Sequence, residues 1–188
     1  MNFDALGPEH DSIIRDDIAQ TITVGMHFAL LGIFTIATAQ PFLFPSLGPS
    51  VYLLARSQGE QDAASDPYHV IGGHLVATVA GFIGYHLLAS DFAITSALQQ
   101  PPFTGGIFWL VVSSILAMML TTLGMLVTGS NHPAACATTL IVSLGLLSTL
   151  SDVAYIMLAV VVLVVAHKLV IYPAAIKFGF EPKDPRED

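Results

Sequence analysis

Charge is what this chain has least of. Only 11% of its 188 residues are charged, against 54% hydrophobic, where an ordinary soluble domain carries about 25% charged residues. No Asp, Glu, Lys or Arg occurs in residues 18–55, 67–90 or 92–151. Runs of this kind exclude an ordinary soluble fold, since a membrane-spanning helix needs about 20 such residues. The mean hydropathy of +0.72 agrees. Basic residues number six, so the positive footprint of a nucleic-acid binder is missing. The single cysteine, Cys136, excludes a disulfide within the chain and a Cys-based metal site. Residues 1–17 hold Asp4, Glu9, Asp11, Asp16 and Asp17 against one Arg15. That is neither the basic start of a secretory signal nor the acid-poor composition of a transit peptide. Also lacking are a nucleophile beside a base, paired acids and a nucleotide fingerprint, so neither an enzyme nor a cofactor is expected. Seven histidines are present, but none form a pair with close ligand spacing on a helix, and no metal site is predicted.

What remains is apolar helix punctuated by Pro and Gly. The first span is expected over 18–40, with Asp16 and Asp17 favourable at its positive end and Pro41 as its stop. Phe42-Leu43-Phe44-Pro45 reads as extended, because Pro45 biases its predecessor away from helix. A short helix is then expected from Pro49 to about Ala55, followed by a polar loop over 56–66. Further helices are expected over 69–89, 106–128, 133–147 and 152–172. Trp109 is an interfacial anchor, and Lys168 snorkels. Gly73, Ala77 and Gly81 recur every four residues, a stripe that lets helices approach closely. It marks either a contact within the chain, the preferred reading, or a seam between copies. A homo-oligomer is expected.

Two stretches repeat one pattern. Ser46-Leu47-Gly48-Pro49-Ser50 and Ser130-Asn131-His132-Pro133-Ala134 each place a Ser three residues before a Pro, and each leads into an apolar run. Pro suits the first position of a helix, where its missing N–H is not needed. His132 or Asn131 would be the cap. The offset of 84 residues is nearly half the chain, which predicts an internal duplication. The repeats are about 15–90 and 100–175, with polar tails at 1–17 and 177–188.

The expected fold is therefore an all-α polytopic membrane protein. About six segments form two inverted three-helix repeats, with short or broken helices starting at Pro49 and Pro133. The alternative is four spans plus two re-entrant helices. In the six-pass arrangement Arg15, Arg56, Lys177, Lys183 and Arg186 fall on one side and the 90–105 loop has no Lys or Arg. By the positive-inside rule both termini are cytoplasmic.

Helix starts present free N–H groups and a positive dipole end, which attract anions. Two such starts facing each other near midplane would hold a small monovalent anion without any full charge. The candidate binding residues are Ser46, Gly48, Pro49, Ser50, Val51, Asn131, His132, Pro133, Ala134, Ala135 and Cys136. His132 is the ionisable group most at stake; the competing reading makes it a neutral cap. His27 and His74 are candidates to line the same cavity, although an interhelical hydrogen bond is preferred for His27. His86 and His167 are expected at the interface. The function expected is passage of an anion, accompanied or not by a proton. The rival is a membrane sensor or assembly module that moves nothing.

At these motifs the sequence resembles the HPP family of integral membrane proteins. The likeness covers about 22–172. It rests on Phe44-Pro45-Ser46-Leu47-Gly48-Pro49-Ser50, on Gly72-Gly73-His74, and on His132-Pro133 followed by Thr139-Leu140-Ile141. Ala134 stands where the family name puts a second Pro, and Cys136 where a Gly is usual. Plant plastid and cyanobacterial members are associated with nitrite transport, so the resemblance implies nitrite as the ion. It also implies the inner membrane of a prokaryotic cell as the location.

Overall fold

The computed structural model describes residues 7–56, 65–90, 92–97 and 99–177. The expectations for the 57–64 part of the polar loop, for Asp91, and for the 178–188 tail with Lys183 and Arg186 lie outside the described residues. The described chain is all-helical. Its elements are α1 (Gly7–Thr38), α2 (Leu43–Arg56), α3 (Pro67–Leu88), a one-turn α4 (Ile94–Ala97), α5 (Gly105–Thr128), a 3-10 turn (Pro133–Ala135) leading into α6 (Cys136–Ser143), α7 (Leu150–Ala166), a π turn (His167–Ile171) and α8 (Tyr172–Lys177). Four segments are long and apolar enough to cross a membrane: Asp17–Thr38, Pro67–Leu88, Gly105–Thr128 and Leu150–Lys177.

Helix ends follow backbone chemistry. At the end of α1, Ala39 adopts φ 54°. The Gln40 N–H donates to Thr35 O and the Ala39 N–H to Ile36 O, the paired bonds that close a helix through a left-handed residue. At α6 the same device uses Gly145 at φ 76°, with Leu146 N–H on Ile141 O and Gly145 N–H on Val142 O. That is why α6 stops at Ser143 and not near Leu147. Gly129 at φ 69° ends α5. Glycine is free at such angles and alanine is not, at about 1–2 kcal/mol. Ala39→Gly is therefore expected to raise stability by about 1 kcal/mol, read as an upward shift in thermal unfolding in detergent. At α7, Thr149 and Asp152 form a reciprocal capping box, and Gln40 Nε2 also donates to Asp152 Oδ1 at 2.9 Å. Asp152 thus helps cap α7 from its third position and ties it to the α1–α2 turn.

Three expectations need correction. First, Pro49 does not start a helix: it lies inside α2, which runs from Leu43. Leu43 N–H donates to Gln40 O, Phe44 N–H to Pro41 O and Ser46 N–H to Phe42 O, so the chain is a turn at Phe42 and helical from Leu43 rather than extended. Pro45 sits in the first turn, where no N–H is required, and Pro49 forgoes only the bond to Pro45 O. Second, Asp16 and Asp17 do not stand at a helix start: α1 begins at Gly7, with Pro8 in its first turn, while the span itself, Asp17–Thr38, is as expected. Third, Pro173 does not end the last helix. The preceding π turn, in which Tyr172 N–H reaches His167 O, absorbs the donor missing at Pro173, a use π turns have inside α-helices.

Contacts fix the direction of each helix. Gly32 meets Phe44 and Gly48 meets Phe28, so α1 and α2 are antiparallel. Tyr68 hydrogen-bonds Thr128 O, and Gly84 meets Ser113 and Ala117, so α3 and α5 are antiparallel. His86 Nε2 reaches Ser148 O at the far end of α3. The chain from Thr128 to Ser148 therefore travels from one end of the bundle to the other through the short helix α6. Likewise α2 carries the chain from the Gln40 end back to the Arg56 end. Directions thus alternate through α1, α2, α3, α5, α6 and α7. The start of α1 and the end of α8 lie at the Arg56 end. At 14 residues α2 is about 21 Å long at ~1.5 Å per residue, short of the ~30 Å hydrocarbon core. The turn before it, and the irregular chain at 129–132 before α6, carry the chain over the rest of the distance between the two ends of the bundle.

The apolar surface faces out. Leu75, Val79, Ile83 and Leu87 form an exposed stripe on α3, as do Val111, Ile115 and Met119 on α5. Such a surface is made for lipid. Inside, a main core gathers Leu31, Leu43, Leu47, Val51, Ile156 and Leu163 from α1, α2 and α7. Lipid tails are as apolar as these side chains, so close packing and hydrogen bonds, rather than burial, hold the helices together. The Gly73–Ala77–Gly81 stripe is spent inside the chain: Gly73 faces His132, Ala77 packs with Met125 and Ala135, and Gly81 faces Val142 and Thr139.

Candidate functional site

The interior of the bundle is unusually polar for its surroundings. Its centre is a set of five side chains from three helices and the irregular chain before one of them. Ser46 and Ser50, four apart on α2, share one face. His74 comes from the second turn of α3, Thr138 from the first turn of α6, and His132 from the irregular chain before it. All five are fully or almost fully buried. Ser50 Oγ lies 2.7 Å from His74 Nε2 and 3.0 Å from His132 Nε2. His74 Nδ1 lies 2.9 Å from Thr138 Oγ1. Thr138 Oγ1 lies 2.9 Å from Ser46 Oγ and donates to Ser46 O at 3.2 Å. The two imidazole rings are 5.4 Å apart between centroids.

The sequence explains this placement locally. Irregular backbone can lie against a helix only where that helix has no side chains. A Cβ on Gly72 would stand 2.9 Å from Ser130 Cβ, and one on Gly73 2.6 Å from His132 Cβ and 3.2 Å from Ser130 O. Gly72-Gly73 is thus the seat of the 130–132 strap, and His74 follows it directly into the cluster. His132 holds the cap position at φ −132° and ψ 86°, but its side chain makes no capping bond; the imidazole turns to Ser50 instead.

The candidate residues are therefore sorted. Ser46, Ser50, His74 and His132 come together. Gly48 packs on Phe28, and Val51 belongs to the apolar core. Pro49, Asn131 and Pro133 are exposed, and Cys136 is half-buried. Ala134 and Ala135 are buried. The proposed free N–H groups are largely used. Those of Ser50, Val51 and Tyr52 lie in the interior of α2, because the helix starts at Leu43. The Ala135 N–H donates to His132 O and the Cys136 N–H to Pro133 O. The cluster is thus made of hydroxyls and imidazoles, not of two facing helix starts.

Thr138 was not among the sequence candidates, since a Thr in an apolar run carries no mark of its own. Its place one turn and a half beyond His132 was the only signal. His27 does not join the cluster. Its Nδ1–H donates to Thr23 O at 2.8 Å, and its Nε2 lies 3.2 Å from His167 Nδ1, the interhelical bond preferred from sequence. His167 is buried rather than interfacial, because the π turn aims it at α1. A third polar contact joins Thr121 and Thr139 across α5 and α6 at 2.8 Å.

At the Arg56 end, His69 and Asp66 form a pair at 2.6 Å between Nδ1 and Oδ2. The hydrogen bond from His69 holds the Asp66 carboxyl below the usual carboxylate range. His69 is one turn before Gly73 on α3, and so lies on the helix face that meets His132 at Gly73.

Among known proteins, no curated protein and no solved structure matches the chain. The family model described as "HPP, transmembrane region" matches residues 11–177, nearly the whole chain and all of the cluster. The chain belongs to the HPP transmembrane family.

Proposed function

We propose that this protein moves a small monovalent inorganic anion, nitrite first, across the cell membrane of a prokaryote. The observation that carries the reading is the buried cluster of Ser46, Ser50, His74, His132 and Thr138, placed where the two short passes meet. In a membrane, polar groups at depth mark substrate paths, and irregular backbone is tolerated only where it is buried in protein or lines a cavity. Hydroxyl and imidazole N–H groups donate to an anion without the grip of a full positive charge, which suits passage. The five side chains are buried, so passage requires the helices around them to move, as in a carrier.

The packing supports a duplicated, inverted architecture. Exchanging α1, α2 and α3 for α5, α6 and α7 turns α1–α2 into α5–α6, α3–α5 into α1–α7 and α3–α6 into α2–α7, and maps α2–α6 and α3–α7 onto themselves. Every one of these pairs packs. With alternating directions, three elements per repeat invert the second half, the plan of many carriers with a site at midplane. Arg56, Lys168 and Lys177 lie towards the end where α1 begins and α8 ends, which the positive-inside rule makes cytoplasmic. The small-residue stripe is used within the chain, so a homo-oligomer would have to form through another face.

Purified protein in liposomes is expected to accelerate nitrite uptake above that of protein-free vesicles. Uptake no faster than in empty vesicles, under either a concentration gradient or an imposed potential, removes transport of this ion and leaves the sensor or assembly reading.

A further inference from the structure

His74 uses both ring nitrogens on hydroxyls, Nε2 on Ser50 and Nδ1 on Thr138. A neutral imidazole has one N–H and one bare nitrogen, so one hydroxyl must donate to it and the other accept from it. That choice propagates. If Ser50 donates to His74 Nε2, then His132 Nε2–H donates to Ser50, His74 Nδ1–H donates to Thr138, and the Thr138 O–H is left for Ser46 O. If the order reverses, Thr138 donates to His74 Nδ1, His74 Nε2–H to Ser50, and Ser50 to His132 Nε2. Each link from His132 to Thr138 is satisfied both ways, and in the second order the Ser46 hydroxyl can donate to Thr138 in place of the bond to Ser46 O. The two arrangements differ by the shift of one proton at every link, which is the property of a proton wire.

We infer that this row is a proton path filled from the Asp66–His69 pair, and that the cargo is the anion of a weak acid, carried across as the neutral acid. The coupling rests on the anion reading above; the wire does not. The step balances. A solvent proton reaches His132 Nδ1 by way of His69. The Nε2 proton of His132 passes to Ser50, the Ser50 proton to His74 Nε2, and the His74 Nδ1 proton to Thr138. The Thr138 proton forms an O–H bond on the anion. One proton enters, one anion becomes one neutral acid, and no net charge crosses. Buried His chains of this kind serve as proton relays in membrane proteins. A strong-acid anion such as nitrate cannot take the proton and is refused.

The ionisable groups around the row are few. α3 brings Asp66, His69 and His74, and the chain before α6 brings His132, with Cys136 half-buried beyond it. α2 brings Arg56 at its far end. α5 has no ionisable residue, Asp152 and Tyr155 of α7 lie towards the opposite end, and His27 of α1 is engaged with His167.

The test uses liposomes with a pH dye inside, the membrane potential clamped at zero and mildly alkaline buffer on both sides. External nitrite is expected to acidify the interior faster than in protein-free vesicles, and external nitrate is not. His74→Gln and His132→Gln keep hydrogen bonds but cannot pass a proton on. In each, nitrite-driven acidification should fall by roughly a hundredfold, the scale for losing a positioned proton donor. Ser50→Ala should do the same, and Ser50→Thr, which restores a hydroxyl, should recover part of the rate. Circular dichroism confirms that each variant is folded. Nitrate carried as fast as nitrite, without acidification, overturns the relay and leaves anion passage standing. Undiminished acidification in both Gln variants overturns the assignment of these residues. Proton flux under an imposed potential that His74→Gln abolishes, with no flux of either anion, supports the wire and removes the anion reading.

Discussion

Replacing Gly73 by alanine is expected to cost about 1–3 kcal/mol of stability, the range for forcing extra atoms into a packed interior, and to abolish activity. The added methyl would meet His132 Cβ at 2.6 Å and Ser130 O at 3.2 Å. Neither is the end of a flexible side chain, so the strap must move. Moving it takes the His132 ring from Ser50 Oγ, a bond already at 3.0 Å. One methyl on a helix face thus cuts the cluster without touching any polar residue. Gly25→Ala is the control, since nothing lies within 4 Å of a Cβ there. Melting temperature and nitrite flux should both fall in the first variant and neither in the second. Flux unchanged in Gly73→Ala would show that the strap can shift freely, and the geometric account of the cluster would fail.

That same glycine shows how much the sequence discloses. The long helices were visible because uncharged runs end at Pro, Gly or acid. The Gly73–Ala77–Gly81 stripe announced a close helix contact, though not its partner. Ser46, Ser50, His74 and His132 were visible because polar groups are rare at such depth and their motifs repeat. The position of Pro49 was misread. In an all-apolar segment there is no periodicity to set a helix boundary, and Pro45 in a first turn costs nothing, so two prolines four apart fit equally well outside or inside the helix. Thr138 and His167 were missed for a related reason. A Thr hydroxyl can turn back to its own helix, as Thr78 does to His74 O, so its direction is not written in the chain. His167 is turned inward by a π turn, which composition does not mark.

Sidedness gives an all-or-none result. With Cys136→Ser as background, Arg56→Cys and Gln100→Cys are expected to react with an impermeant thiol reagent from opposite sides of the membrane, Arg56→Cys from the cytoplasmic side. Both positions are exposed. The argument runs through α2. Its first turn packs on Gly32 of α1, and one turn later Gly48 reaches Phe28, so α2 descends along α1 towards the end where α1 begins. Arg56 closes that descent, with its guanidinium on Tyr52 Oη at 3.0 Å, a pair suited to the headgroup region. α3 then returns to the other end, where His86 meets Ser148, and Gln100 follows before α5. If α2 instead dipped in and came back, Arg56 would lie outside and Gln100, across α3, on the cytoplasmic side, so the two labels would exchange sides. The structure places α3, a full-length helix, between them. Labelling of both positions from one side would therefore mean that α3 does not cross, and the alternating order of the six passes would fail with it.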